Sequence, residues 1–332
     1  MRRPGREDLT ALALFTITAL LILASRWISP GLGSWSQVEA IVVLSTFVMI
    51  IAFGQQTVIL TGGLDLSVGS VMTLGAILLF SWIGGSSMAL IWGVPLVLLI
   101  TGCIGAVSGI CVALLRVPPF IMTLAMNIII SSALLGMTGG APRGTVSPLL
   151  VRLFTSDWLG APLIVYVMVC FIFLASLVQR RTAFGRMVYA IGTSRDAAYI
   201  AGLPVKRVTI LCYAISSTTA GFAGILMVGF AEGATQYSGD NVLIPSIAAV
   251  VVGGTSILGG RGNYLGAVGG ALLMTTFATM ISALGFDVGW RTIIFGFVIL
   301  WALLALQADY QLWGKWLRSA FASAHSKTPN IH

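Results

Sequence analysis

The chain has 332 residues, of which 58% are apolar and only 8% charged, whereas a soluble domain carries about 25% charged residues. That balance excludes a water-soluble fold. Water is absent from a bilayer core, so long apolar segments must satisfy their backbone groups as helices, and the chain reads as an all-α polytopic membrane protein. The formal net charge of +8 does not then point to nucleic acid; what matters is where Lys and Arg fall relative to the spans.

The first apolar run, Leu9 to Ala24, follows the charged start "MRRPGRED". Nothing after it resembles a soluble mature domain, so it reads as a first span rather than a signal peptide. Nine more apolar stretches follow, at about 38–60, 65–84, 88–115, 118–140, 160–178, 208–230, 242–259, 263–284 and 289–306, each close to the roughly 20 residues a span requires. The expectation is ten transmembrane helices, or eight if short segments are re-entrant, with both termini cytoplasmic. All belong to one transmembrane unit: a tail over 1–8, a bundle over 9–306 with a polar loop at 179–208, and a second tail over 307–332.

The junction between the second and third stretches, "FGQQTVILTGGLDLSVGS", sets Gln55, Gln56, Asp65 and Ser67 into apolar surroundings beside Gly62 and Gly63. Polar groups at membrane depth mark a path or gate by default. Asp65 also reads as the cap of the following helix, with the glycines ending the preceding one. Gln55 and Gln56 are needed by no cap. In the fifth stretch, which Pro118 and Pro119 introduce, Asn127 lies with Thr123, Ser131 and Ser132 on one helical face, suited to interhelical hydrogen bonds or to a substrate. Small residues recur four apart at Gly102 and Ala106, Gly105 and Gly109, and Gly266 and Gly270, a spacing that lets transmembrane backbones approach closely.

The polar loop is "TAFGRMVYAIGTSRDAAYIAGLPVKR". Thr193 or Ser194 caps a short helix with Asp196 in its first turn, and Gly202 followed by Pro204 ends it. Arg186 and Arg195 offer charge, and Ala197, Ala198 and Ala201 a small-residue surface for a docking partner. Next comes "VVGGTSILGGRGNYLGA", carrying Thr255 and Ser256 at a Gly-rich turn. It lacks the order of a phosphate-binding P-loop, and no such order occurs elsewhere in the chain. Residues 62–76 match 253–267 at six of fifteen positions, a candidate internal repeat of the kind transporters use.

Under the ten-span arrangement the inner junctions hold Arg116, Arg180, Arg181, Arg186, Arg195, Lys206, Arg207 and Arg261. The tails add Arg2, Arg3, Arg6, Lys315, Arg318 and Lys327. Fourteen of the 18 cations thus fall inside, leaving Arg26, Arg143, Arg152 and Arg291, as the positive-inside rule requires. Trp27, Trp35, Trp82, Trp158, Trp290, Trp313 and Trp316 lie near segment ends, where an indole has both apolar and wet contact. The cysteines (Cys103, Cys111, Cys170 and Cys212) sit inside apolar segments as small buried hydrophobes. His325 and His332 lie in the C-terminal tail without neighbours for a metal site. No catalytic set can be assembled, and neither a cofactor nor an enzyme activity is expected.

The four stretches "QTVILTGGLDLSVGS", "VPPFIMTLAMNII", the 182–207 loop and "AVVVGGTSILGGRGNYLGAVGGALL" resemble, in order and spacing, the permease subunits of bacterial ABC importers for ribose and related sugars. The resemblance spans about residues 38–306. It implies a multi-pass protein of the bacterial inner membrane, a cytoplasmic ATPase, a periplasmic solute-binding protein, and a second permease copy or sister permease, all in contact with membrane lipid. The family's coupling pattern falls on Phe184, Gly185, Arg186, Ala190, Gly192, Ala197, Ala198 and Gly202, and its intramembrane pattern on Gly62, Gly63, Asp65, Leu66, Ser67, Gly69 and Ser70. Thr193 and Ser194 depart from the Gly and Asn common there, and Leu64 from Ile. The implied cargo is a small sugar or polyol, with autoinducer-2 as the alternative within the family. An ion-coupled secondary transporter is the alternative outside it, though Asp65 is the one intramembrane acid in the first half to serve it.

Overall fold

The computed structural model describes residues 6–27 and 31–307. The tail assignments at 1–5 and 308–332, with the placement of both termini, lie outside the described residues. Helices form wherever the sequence is continuously apolar, and also within the polar loop: α1 (Arg6–Ser25), α2 (Trp35–Leu60), α3 (Val68–Ile77), α4 (Ser87–Ala113), α5 (Pro119–Thr138), α6 (Pro148–Thr155), α7 (Leu163–Arg181), α8 (Ala183–Thr193), α9 (Arg195–Ile200), α10 (Val205–Ala231), α11 (Asp240–Val252), α12 (Tyr264–Ala283) and α13 (Val288–Gln307). A π-helical turn, Leu78–Ile83, extends α3, and a two-residue hairpin pairs Asp157–Trp158 with Ala161–Pro162.

Each of the ten apolar stretches is helical. Among the described residues six helices (α2, α4, α5, α7, α10 and α12) are long and apolar enough to cross a membrane, and α1, α3 with its extension, α11 and α13 are shorter apolar helices. Local chemistry sets many of the starts. Ser34 accepts from the Gln37 N–H to cap α2 and Ser86 from the Ala89 N–H to cap α4, while Pro119 opens α5 where no intrahelical N–H is lost.

The core is built around α10, which packs on α2, α3 and α4, while α2 packs on α10, α11 and α12. Close approach rests on small residues. Gly105 and Gly109 of α4 lie against Tyr213, Ser217 and Ile210 of α10, and Gly266 and Gly270 of α12 against Gly253 and Ala249 at the end of α11, so these spaced glycines serve packing.

The neighbour relations survive exchange of α2–α5 for α10–α13: α3 contacts α5 as α11 contacts α13, and α4 contacts α5 as α12 contacts α13. Because the two four-helix sets run in opposite directions along the chain's up-and-down path, they form an inverted repeat. The two short helices α3 and α11 are its equivalent members, and their N-terminal ends meet in the interior. Gly239 donates its N–H to Thr73 Oγ1 at 3.0 Å, and a Cβ on Gly239 would collide with the Gly69 carbonyl. The match of 62–76 to 253–267 is a different likeness. It falls on two helix stops, at α2 and at α11, but one residue out of their structural register: Gly62 (φ +78°) and Gly254 (φ +87°) turn the chain, whereas the match pairs Gly62 with Gly253. At each stop the next N–H closes on a carbonyl five residues back, Gly63 on Val58 and Thr255 on Val250.

Candidate functional site

Four junctions gather at one end of the bundle, the basic end. The α8–α9 element sits on the stop of α2 and on the 253–263 turn. Gly260 donates its N–H to the Leu60 carbonyl at 3.0 Å, Tyr189 Oη donates to the Gly262 carbonyl at 2.5 Å, and Gly192 lies against both Leu60 and Gly260. Arg116, between α4 and α5, lines a cavity of about 630 Å³ with Arg195, Asp196, Tyr199 and Lys206.

The polar loop holds two helices rather than one. Thr182 Oγ1 accepts from the Gly185 N–H at 3.2 Å to cap α8, and Ser194 Oγ accepts from the Ala197 N–H at 3.3 Å to cap α9, which settles the choice between Thr193 and Ser194. Gly202, at φ +79°, ends α9, with the Leu203 N–H returning to the Ala198 carbonyl at 3.0 Å. Gly185, Val188, Ile191 and Ala198 are buried; the last three pack with Val58, Leu60, Val208 and Cys212, with Phe184 against them, and Gly185 lies against the Gln179 carbonyl at the end of α7. Ala198 and Gly192 therefore hold the element to the bundle, and the surface it presents is different. Arg186, Ala190, Arg195 and Ala197 are exposed, and so are Tyr199 at 72% and Ile200 at 85%. The last two form an apolar pair on a polar loop that the sequence reading passed over.

Behind this element lies a buried polar cluster. Asp65, 1% exposed, accepts from the Ser67 N–H at 2.9 Å and the Ser67 hydroxyl at 2.6 Å through Oδ1, a turn that leads into α3; the N-cap of α3 is Ser67 and makes no side-chain cap bond, so the cap expected at Asp65 is not formed. Its Oδ2, with Tyr213 Oη and Ser216 Oγ on α10, makes no hydrogen bond of good geometry, although Ser216 stands close enough to act on the carboxylate. Tyr213 Oη would sit 2.6 Å from a Cβ on Gly63, so Gly63 admits the phenol to the break. Gln55 and Gln56 are fully buried. Gln56 Nε2 donates to Thr255 Oγ1 at 2.8 Å, joining the two helix stops, while both polar atoms of Gln55 lack a partner within the protein. Each such buried orphan costs about 1–3 kcal/mol, a concentration that the packing of α2, α3 and α10 alone does not require.

Asn127 is half-buried on α5, between two anchoring points: Thr123 Oγ1 donates to the Leu64 carbonyl at 3.3 Å, and Gln236 Nε2 to the Ser131 carbonyl at 3.1 Å. The polar face of α5 thus follows the chain segments that introduce α3 and α11. Ser256 shapes the 253–263 turn, its N–H bonded to the Arg261 carbonyl at 2.9 Å. Of the expected path residues, the structure brings together Gln56 with Thr255 and Asp65 with Ser67, while Gly63 lies against Tyr213. Asn127 borders the group and Ser256 faces the basic end. Among the described residues no cluster of three His, Cys, Asp or Glu side chains stands ready for a metal.

Residues 37–303 match the family described as "Branched-chain amino acid transport system / permease component". Similar proteins include a probable ABC transporter permease protein, y4mJ, from Sinorhizobium fredii (32% identical over 302 residues, 89% of this chain and 88% of the relative). The ribose import permease protein RbsC from Escherichia coli K12 is 33% identical over 297 residues, 87% and 92% of the two chains. The fructose import permease protein FrcC from Rhizobium meliloti is 32% identical over 285 residues, 82% and 76%. No solved structure matches. With a family match over almost the whole bundle and similarity of this extent, the chain belongs to this permease family, as a multi-pass ABC-importer permease component of the bacterial inner membrane.

Proposed function

We propose that this chain is the translocating subunit of an ATP-driven importer for a small sugar or polyol, with its basic end facing the cytoplasm. The observation that carries the reading is the α8–α9 element: a two-helix knob, capped at both starts, seated on the stops of α2 and α11, and presenting Tyr199 and Ile200 outward. A partner ATPase that moved this knob would move Leu60 and Gly260 with it, and through Gln56 and Thr255 the polar cluster behind them. Arg186 and Arg195 add exposed charge to the same element, and Ala197 a small exposed surface.

The chain has no P-loop order of its own, so the energy for transport enters through this partner. A secreted solute-binding protein delivers the cargo at the opposite end, and a second permease, the same or a sister chain, completes the path. The exposed hydroxyls of Ser131 and Ser132 on α5 favour such a second permease over lipid on that face. The names of the relatives, ribose and fructose import permeases, supply the class of cargo. The test is uptake of radiolabelled D-ribose and D-fructose by proteoliposomes containing the permease, ATPase and binding protein encoded together. ATP-dependent accumulation of one of them is expected; none for any sugar tried would overturn the sugar assignment.

A further inference from the structure

A cavity of about 450 Å³ lies between α2, α11, α12 and α13, on the half of the bundle away from the basic end, a volume within the range of small-molecule sites. Its polar groups come from three elements. Thr275, Thr279 and Ser282 line one face of α12 at spacings of four and three. Asp240 opens the half-length helix α11, and Arg291 comes from the first turn of α13. Phe47 and Phe295 form an apolar wall.

We infer that this cavity is a binding site for the cargo within a single permease, and that it takes a neutral polyhydroxylated molecule. One carboxylate and one guanidinium face the cavity, and among the described residues no ion pair joins them, so both remain available to a ligand while their charges balance. A neutral ligand rich in hydroxyls satisfies both, donating to Asp240 and accepting from Arg291. Thr279 and Ser282 donate to carbonyls of their own helix at 2.9–3.0 Å, which leaves their oxygens as acceptors toward the cavity. Thr275, 7% exposed, has a hydroxyl with no partner within the protein, and so has Arg291 Nε. Aromatic walls suit the apolar faces of a sugar ring.

This inference rests on the sugar-importer reading, and the two fail differently. In proteoliposomes with the complete importer, Asp240→Asn is expected to raise the KM for the transported probe, D-ribose or D-fructose, about tenfold or more, the loss of one charge-assisted contact. In a background with the four cysteines replaced by alanine, Thr279→Cys is expected to react with a membrane-impermeant maleimide added from outside. Saturating transported sugar should slow that reaction severalfold, and a sugar that is not transported should leave it unchanged. A KM within twofold of the parent, or labelling indifferent to the transported sugar, overturns the site while the importer reading stands. Absence of any sugar uptake by the parent overturns the importer reading, and the site's cargo with it.

Discussion

A methyl group on Gly192 would meet the carbonyl oxygen of Leu60 and the backbone of Gly260, both fixed by helix-stop hydrogen bonds and unable to yield. Gly192→Ala is therefore expected to destabilise the seating of α8 by about 1–3 kcal/mol, read as a lower unfolding temperature of the purified permease. The bond between Gln56 and Thr255 makes a second residue-level prediction. Thr255→Val should cost about 1–3 kcal/mol by leaving the Gln56 amide buried and unpaired, and adding Gln56→Leu should recover part of that loss; thermal unfolding of the single and double variants checks it. At Asp65 the turn onto Ser67 runs through one carboxylate oxygen, which Asp65→Asn retains. Uptake within about threefold of the parent is expected if holding that turn is its main role, whereas a large loss with unchanged folding would assign Asp65 to the path.

The α8–α9 element was half legible. Ser194, Asp196, Gly202 and Pro204 announce α9 by cap and stop chemistry. The longer α8 went unread, although Phe184, Val188 and Ile191 fall at helical spacing behind a capping Thr182, because polar and small residues interrupt them. Ala198 looked like a partner-facing residue because small residues serve both buried and docking faces; only tertiary packing separates the two, and it buries Ala198 while exposing Tyr199 and Ile200. Tests of docking therefore belong on the exposed pair. Ile200→Asp and Tyr199→Ala are expected to reduce recovery of the partner ATPase in pull-downs about tenfold, with membrane insertion and thermal stability unchanged. Equal recovery would remove α9 from the docking surface.

Across the whole molecule, the ten apolar helices were readable because a bilayer leaves an apolar segment few alternatives. The inverted relation of α2–α5 to α10–α13 was not readable, since helix packing keeps it while the residues diverge; the visible sequence match instead marks two similar helix stops. The cavity of Asp240, Thr275, Thr279 and Arg291 also escaped notice, because its members stand far apart in sequence and only the meeting of α11, α12 and α13 joins them. The inverted architecture moves a solute in either of two ways, with energy delivered by a partner at the basic end or with an ion bound in the interior. Uptake into proteoliposomes with ATP, the partner ATPase and the binding protein supplied or withheld separates them, each arm with and without a protonophore. Accumulation that requires all three components and is indifferent to the protonophore is the predicted result. Uptake that persists without the ATPase and binding protein and collapses with the protonophore would contradict it.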